Sequence, residues 1–154
     1  MPAMAEPLRV LLFNDEVADL EARLRKERPD VAVATSQSYA SLPSEIAAFH
    51  PDVVYTIRFA GTPGYPRDAL FGPNGPRWIA NGGAGTDHFG IWDPAKTTVT
   101  NAAGIAADMM AEYVMGLFLH FTLDVPGLQE EKAHKIWRAR TVRPIKGATL
   151  LIIG

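Results

Sequence analysis

From Leu8 onward, short unbroken apolar runs alternate with segments of helical periodicity: residues 8–13, then 17–28, 31–35 and 43–50. This βαβα rhythm continues through further apolar runs at 53–59, 77–81 and 97–101. Strands that alternate apolar with polar residues have one wet face, whereas continuous runs suit parallel strands covered on both faces. The predicted class is therefore α/β, with a doubly wound parallel sheet.

Between the runs the pattern is legible in places. Leu20 and Leu24 share one face of the first helix, while Glu21, Arg23, Arg25, Lys26, Glu27 and Arg28 occupy the other and Pro29 ends it. Those alternating signs give no net field and predict a solvated face. Residues 60–76 hold four of the twelve prolines and four of the thirteen glycines, which predicts a long surface connection. Asp93-Pro94 has the form of an N-cap followed by proline at the first helical position. Residues 105–123 contain Met109, Met110, Val114, Met115, Leu117, Phe118, Leu119 and Phe121, apolar around most of a helix, and predict a long helix buried on several sides. Residues 129–140 read as a polar surface helix anchored by Ile136 and Trp137. The run at 149–153 reads as a strand from the middle of a sheet, with no covering helix after it, so a chain cut from a longer one is expected.

Charge narrows the partners. With 15 Lys and Arg against 17 Asp and Glu, and a formal net charge of −2, there is no basic excess to attract phosphate backbones, and no nucleic-acid partner is expected. The absence of cysteine removes disulfides and thiolate metal sites, and with no cationic leader before an apolar run the expected location is cytoplasmic. Asp108, Glu112 and His120 interrupt the apolar segment 105–123, so no membrane span is expected there.

The densest chemical cluster is Asn81-Gly82-Gly83-Ala84-Gly85-Thr86-Asp87-His88, directly after the fourth run. Glycines free the backbone to point successive N–H groups into one concavity, where a carboxylate or phosphate fits. The same residues also suit a tight strand-to-helix turn with Asp87 as a cap. Gly83 and Gly85 open a G-x-G-x-x-G spacing, but His88 stands where the third glycine belongs, so a dinucleotide fingerprint is weak here. Arg58 ends the third run, at the sheet edge where open α/β sheets place ligands, and it either pairs with an anion or reaches solvent. Asn101, at the end of the fifth run, reads as a turn residue. His50, His88, His120 and His134 lack metal-site spacing, and neither a nucleophile elbow nor a P-loop is present. The acidic cluster Asn14-Asp15-Glu16 is similar to that of receiver domains, but Ile57 occupies the phosphoacceptor place and Thr100-Asn101 the lysine place, which removes a phosphorylation switch.

Taken in order, Gly83-Ala84-Gly85-Thr86-Asp87-His88, Val99-Thr100-Asn101-Ala102-Ala103-Gly104, Ala111-Glu112-Tyr113-Val114, Trp137 and residues 145–154 resemble the D-isomer-specific 2-hydroxyacid dehydrogenase family. The resemblance covers nearly all of this chain and under half of a family member. It implies a flavodoxin-like substrate-binding domain over residues 1–98 and, over 99–154, the start of a nicotinamide-dinucleotide domain entered through the long helix. Residues 149–153 would be that domain's first Rossmann strand and Gly154 the first glycine of its fingerprint.

The resemblance further implies that backbone amides of Gly83, Ala84 and Gly85 bind a substrate carboxylate, assisted by Arg58. Ala106 and Met110 would lie near the nicotinamide. Ala106 stands where an asparagine is common, so a polar contact is lost there. The family's catalytic arginine, glutamate and histidine fall downstream, and no catalytic residue is assigned in this chain. Expected for the whole protein are hydride transfer between NAD or NADP and a small D-2-hydroxy or 2-oxo acid, and a homodimer. For these 154 residues alone the expectation is no turnover and no tight cofactor binding. The alternative is a non-catalytic module for small-anion binding or oligomerisation.

Overall fold

A computed structural model of the chain describes residues 6–59, 61–142 and 144–153. The chain divides into two compact units, Met1–Gly104 and Ile105–Gly154. The first unit is built on five strands: β1 (Arg9–Phe13), β2 (Ala32–Ser36), β3 (Val53–Thr56), β4 (Trp78–Asn81) and β5 (Thr98–Thr100). All pair in parallel, in the order β2-β1-β3-β4-β5. That order is the flavodoxin-like form of the doubly wound sheet.

Side-chain alternation along β1 divides the core. Val10 and Leu12 point to the face where α1 (Ala18–Glu27) lies and pack with Val17, Val31, Val33 and Val53, with Leu20 and Leu24 against them. Leu11 and Phe13 point the other way, joining Leu42 and Ile46 of α2 (Leu42–Phe49), Val54, Phe59, Leu70, Ile79 and Phe89. The charged side of α1 is solvated as expected, carrying Arg23–Glu27 and Arg25–Glu21 pairs one turn apart at 2.9 and 2.8 Å. Such exposed pairs each contribute at most about 0.5 kcal/mol.

Several expectations are corrected. The connection at 60–76 is not structureless: it contains α3 (Arg67–Phe71), whose Leu70 is fully buried and fastens the segment to the core. Asp93-Pro94 starts no helix. The Asp93 carboxylate accepts from Ala95 N–H and its carbonyl from Lys96 and Thr97, which closes a single turn before β5. A boundary placed after residue 98 falls inside β5, which is held to β4 through Trp78↔Thr98, Ile79↔Val99 and Ala80↔Thr100; the compact unit runs to Gly104.

In the second unit, α4 (Ala107–Thr122) is followed by α5 (Val125–Ala133). The surface helix anticipated at 129–140 thus starts earlier and stops earlier. Asp124 caps it, accepting from Gly127 N–H, with Pro126 in the first turn. Arg140 pairs with Glu131 at 2.8 Å and with Asp124. Hydrogen bonds from its guanidinium are the leading cause that holds both carboxyls below the ordinary carboxylate range.

Two further corrections concern this unit. No residue of α4 is buried, and Met109, Tyr113 and Phe121 are each about two-thirds exposed or more, at 67%, 64% and 72%. Among the described helices and strands of its own unit, α5 is the main neighbour of α4, and one short helix cannot cover an apolar circumference. Residues 149–153 form no strand, and Leu151, Ile152 and Ile153 are exposed. A strand is held by ladder hydrogen bonds to a neighbour, and the described residues of this unit provide none. No helix among the described residues is long and apolar enough to cross a membrane.

Candidate functional site

The C-terminal ends of β3 and β4 lie side by side, with Thr56 level with Asn81. Both are polar and buried, Thr56 completely and Asn81 at 4% exposure. A buried polar side chain is retained where hydrogen bonds satisfy it, and the partners of these two define the site.

Asn81 folds back onto the turn that follows it. Its Nδ2 donates to the carbonyls of Gly83 at 2.9 Å and Gly85 at 2.8 Å, and its Oδ1 accepts from Gly83 N–H at 3.4 Å. Asn101, just beyond β5, donates from Nδ2 to the Ala84 carbonyl at 2.7 Å, and Ala102 N–H donates to the Gly83 carbonyl at 3.1 Å. Three successive carbonyls are thereby tied down. In a trans peptide the following N–H points opposite to the carbonyl, so the amides of Ala84, Gly85 and Thr86 are turned away from these anchors. Among the described residues those three N–H groups donate to no protein acceptor, and Ala84 and Gly85 are exposed. Successive amides left without protein acceptors at the C-terminal edge of a parallel sheet are groups that can receive an anion.

The backbone freedom that the sequence reading invokes for these glycines is not what the turn uses. None of Gly82, Gly83 and Gly85 takes the left-handed backbone. Gly82 is required by close approach: a Cβ there would stand 2.3 Å from Tyr55 Oη and 2.9 Å from Cζ. Gly82→Ala is expected to lower stability by about 1–3 kcal/mol, the usual effect of overpacking. Adding Tyr55→Ala should recover part of that loss, measured as non-additivity of urea unfolding midpoints.

Arg58 follows β3 by two residues and is exposed. It lines an open cleft of about 550 Å³ with Phe59, Gly61, Thr62 and Pro63. Its charge reaches His88, in the short 3-10 turn Asp87–Phe89 beyond the glycines. The His88 ring meets Tyr65 edge-on at 4.8 Å and Phe89 at 4.1 Å, and its Nε2 is buried without a hydrogen-bond partner. Desolvation pushes the imidazole below its ordinary value; Asp87 opposes this, and Arg58 adds to it. Asp87 is not the side-chain cap anticipated for this turn, since it makes no such bond.

A basic group with a lowered native pKa binds protons more readily in the unfolded chain. Above about pH 6.5 both states are neutral and His88 is without effect; as pH falls through that value the unfolded state gains the proton first and stability declines. His88→Gln is expected to flatten this part of the profile of unfolding midpoint against pH. An unchanged slope would contradict the desolvation of the His88 ring around its buried Nε2.

Ala106 immediately precedes α4, and Met110 lies one turn on, its N–H donating to the Ala106 carbonyl at 2.9 Å. The pair offers apolar surface without a charged or hydrogen-bonding side chain. That suits contact with the flat face of a nicotinamide ring and does not suit holding a pyrophosphate. Gly154 lies outside the described residues. No cluster of three potential metal ligands occurs among the described residues. Asn81 and Asn101, which organise the turn, are not picked out as site residues by motif reading. An asparagine at a strand exit is the available signal, because its amide readily bonds nearby backbone.

No protein-family profile and no curated protein matches the chain. Solved structures resemble it in fold. One is a D-isomer specific 2-hydroxyacid dehydrogenase family protein from Aeromonas salmonicida subsp. salmonicida A449, at TM-score 0.69 and 19% identity, over 92% of this chain and 44% of that one. Another is a D-lactate dehydrogenase from Sporolactobacillus sp., at TM-score 0.50 and 17% identity, over 91% of this chain and 44% of that one. The chain thus spans less than half the length of either structure.

Proposed function

We propose that this chain is the substrate-binding portion of an oxidoreductase of the D-isomer-specific 2-hydroxyacid dehydrogenase family, acting on a small 2-oxo or D-2-hydroxy acid with NAD or NADP. The observation that carries the reading is the outward set of amides at Ala84, Gly85 and Thr86, held by Asn81 and Asn101. Their partial positive charges receive the substrate carboxylate, and Arg58, on the adjacent strand exit, supplies the full charge. Asp87 sets a negative charge beside the same turn and restrains binding of anions in general. The fold likeness to a family structure supports the same reading.

A nicotinamide cofactor, when bound, supplies or takes the hydride; from this chain Ala106 and Met110 pack against its ring. The chain's own residues bind and orient the acid, and we assign none of them to proton transfer. The first compact unit, through Gly104, serves as the substrate-binding domain and the second as the entry to the cofactor domain. The exposed apolar side chains of α4 support a homodimer of the whole protein, located in the cytoplasm.

Calorimetric titration separates this reading from others. Glyoxylate and pyruvate are expected to bind the 154-residue chain saturably in the millimolar range, while acetone, which lacks the carboxylate, does not bind. No turnover of reduced nicotinamide is expected from this chain. Equal binding of acid and ketone, or no binding of either acid, would sink the proposal.

A further inference from the structure

The exit of β3 is fastened at two points. At one, Thr56 Oγ1 and Tyr65 Oη share a hydrogen bond of 2.8 Å, while the Thr56 carbonyl accepts from Gly82 N–H at 2.8 Å. At the other, Phe59 N–H donates to Tyr39 Oη at 2.8 Å. Only Ile57 and Arg58 lie between these points. The Phe59 ring stacks on that of Tyr39 with centroids 4.5 Å apart, and Phe13 lies against both, at 5.0 Å from Phe59 and 5.7 Å from Tyr39.

The Tyr39 ring is explained by this packing, which phenylalanine would serve equally. Its hydroxyl is not. It accepts the main-chain N–H of the residue immediately after Arg58, from a loop that follows another strand, twenty residues earlier in sequence. Fixing that peptide fixes the Arg58 Cα and the direction in which its side chain leaves the backbone. A guanidinium on an otherwise exposed side chain gains affinity for an anion when less of its freedom remains to be lost on binding.

We propose that Tyr39 is a positioning residue for Arg58: its hydroxyl holds the Arg58–Phe59 peptide so that the guanidinium is directed to the substrate carboxylate. The proposal rests on the reading of Arg58 as the carboxylate's charged partner. It names a residue that touches no ligand and acts through the backbone.

The test is a double-mutant cycle on the 154-residue chain with glyoxylate as the probe. Tyr39→Phe is expected to weaken glyoxylate about fivefold, the effect of one hydrogen bond of ordinary net strength. In an Arg58→Gln background the same change should alter affinity by less than about 1.5-fold, because the group being positioned is gone. Exchange of the Phe59 amide with solvent is expected to accelerate in Tyr39→Phe, while Gly82 exchange stays as in the parent chain. Equal losses in both backgrounds, no loss in either, or an unchanged Phe59 exchange rate would overturn the positioning role alone. Failure of the unsubstituted chain to bind glyoxylate would overturn the carboxylate reading and the role of Tyr39 with it.

Discussion

Phe13→Ala is expected to destabilise the first unit by about 3–5 kcal/mol, the range for removing a buried phenylalanine from a packed core. Phe13 is fully buried at the C-terminal end of the interior strand β1, with Tyr39, Phe59 and Tyr65 around its ring at centroid distances of 5.7, 5.0 and 6.3 Å. Tyr39 comes from the connection between β2 and α2, and Phe59 and Tyr65 from that between β3 and α3, so the two sides are anchored independently and cannot close the cavity together. Urea unfolding monitored by fluorescence of Trp78 and Trp92 should show a lower midpoint with the slope preserved. Phe13→Leu should lose much less, about 1.5 kcal/mol or under, as volume-conserving exchanges do. A loss below that size for the alanine variant would contradict the packing, and with it the support beneath Arg58.

Asn81→Ala has the second large effect, and it falls on both stability and binding. The substitution removes two donated hydrogen bonds and one accepted bond from a nearly buried side chain. Because the turn itself is partly exposed, water can reach some of the released groups, and the expected loss is about 1–3 kcal/mol. Affinity for glyoxylate should fall about tenfold or more, since the amides then have to be ordered at the moment of binding. Asn81→Asp is the sharper variant. It retains the shape but turns the donor into an anion facing two carbonyls, so it should lose binding at least as fully as alanine. Retention of parental affinity by either variant would show that the turn does not depend on its asparagine.

The sheet is readable in the sequence because parallel strands covered on both faces leave continuous apolar runs, as in Val10-Leu11-Leu12-Phe13 and Val53-Val54. The five runs locate all five strands to within a few residues at each end, and the helical face of Leu20 and Leu24 is the one that packs. α3 is hidden because Pro66 and Gly72 bracket only five residues, too few for periodicity to register. The apolar circumference of α4 is visible, but burial belongs to an element's neighbours and not to the element, so its exposure is not legible. The same holds for Leu151-Ile152-Ile153, where strand composition is present and no pairing partner occurs among the described residues.

The turn shows where motif reading stops. Its glycines are what the sequence offers for an anion site, yet the direction of the amides depends on Asn81 and Asn101, which reach the turn from two different strand ends. Their shared role depends on β4 and β5 being neighbours, a fact of topology that no local window contains. Arg58 is brought to the same edge by the pairing of β3 with β4.

The most direct measurement is an amide-resolved ¹⁵N–¹H titration of the chain with pyruvate, with acetone as the neutral control. The account predicts saturable shifts at Ala84, Gly85 and Thr86, all with one dissociation constant, while Gly82 and Ala102, whose N–H groups are already bonded within the protein, stay in place. Acetone should leave all five unmoved. Shifts at other sites with the three turn amides unchanged, or equal responses to acid and ketone, would contradict the assignment of this turn as the carboxylate site.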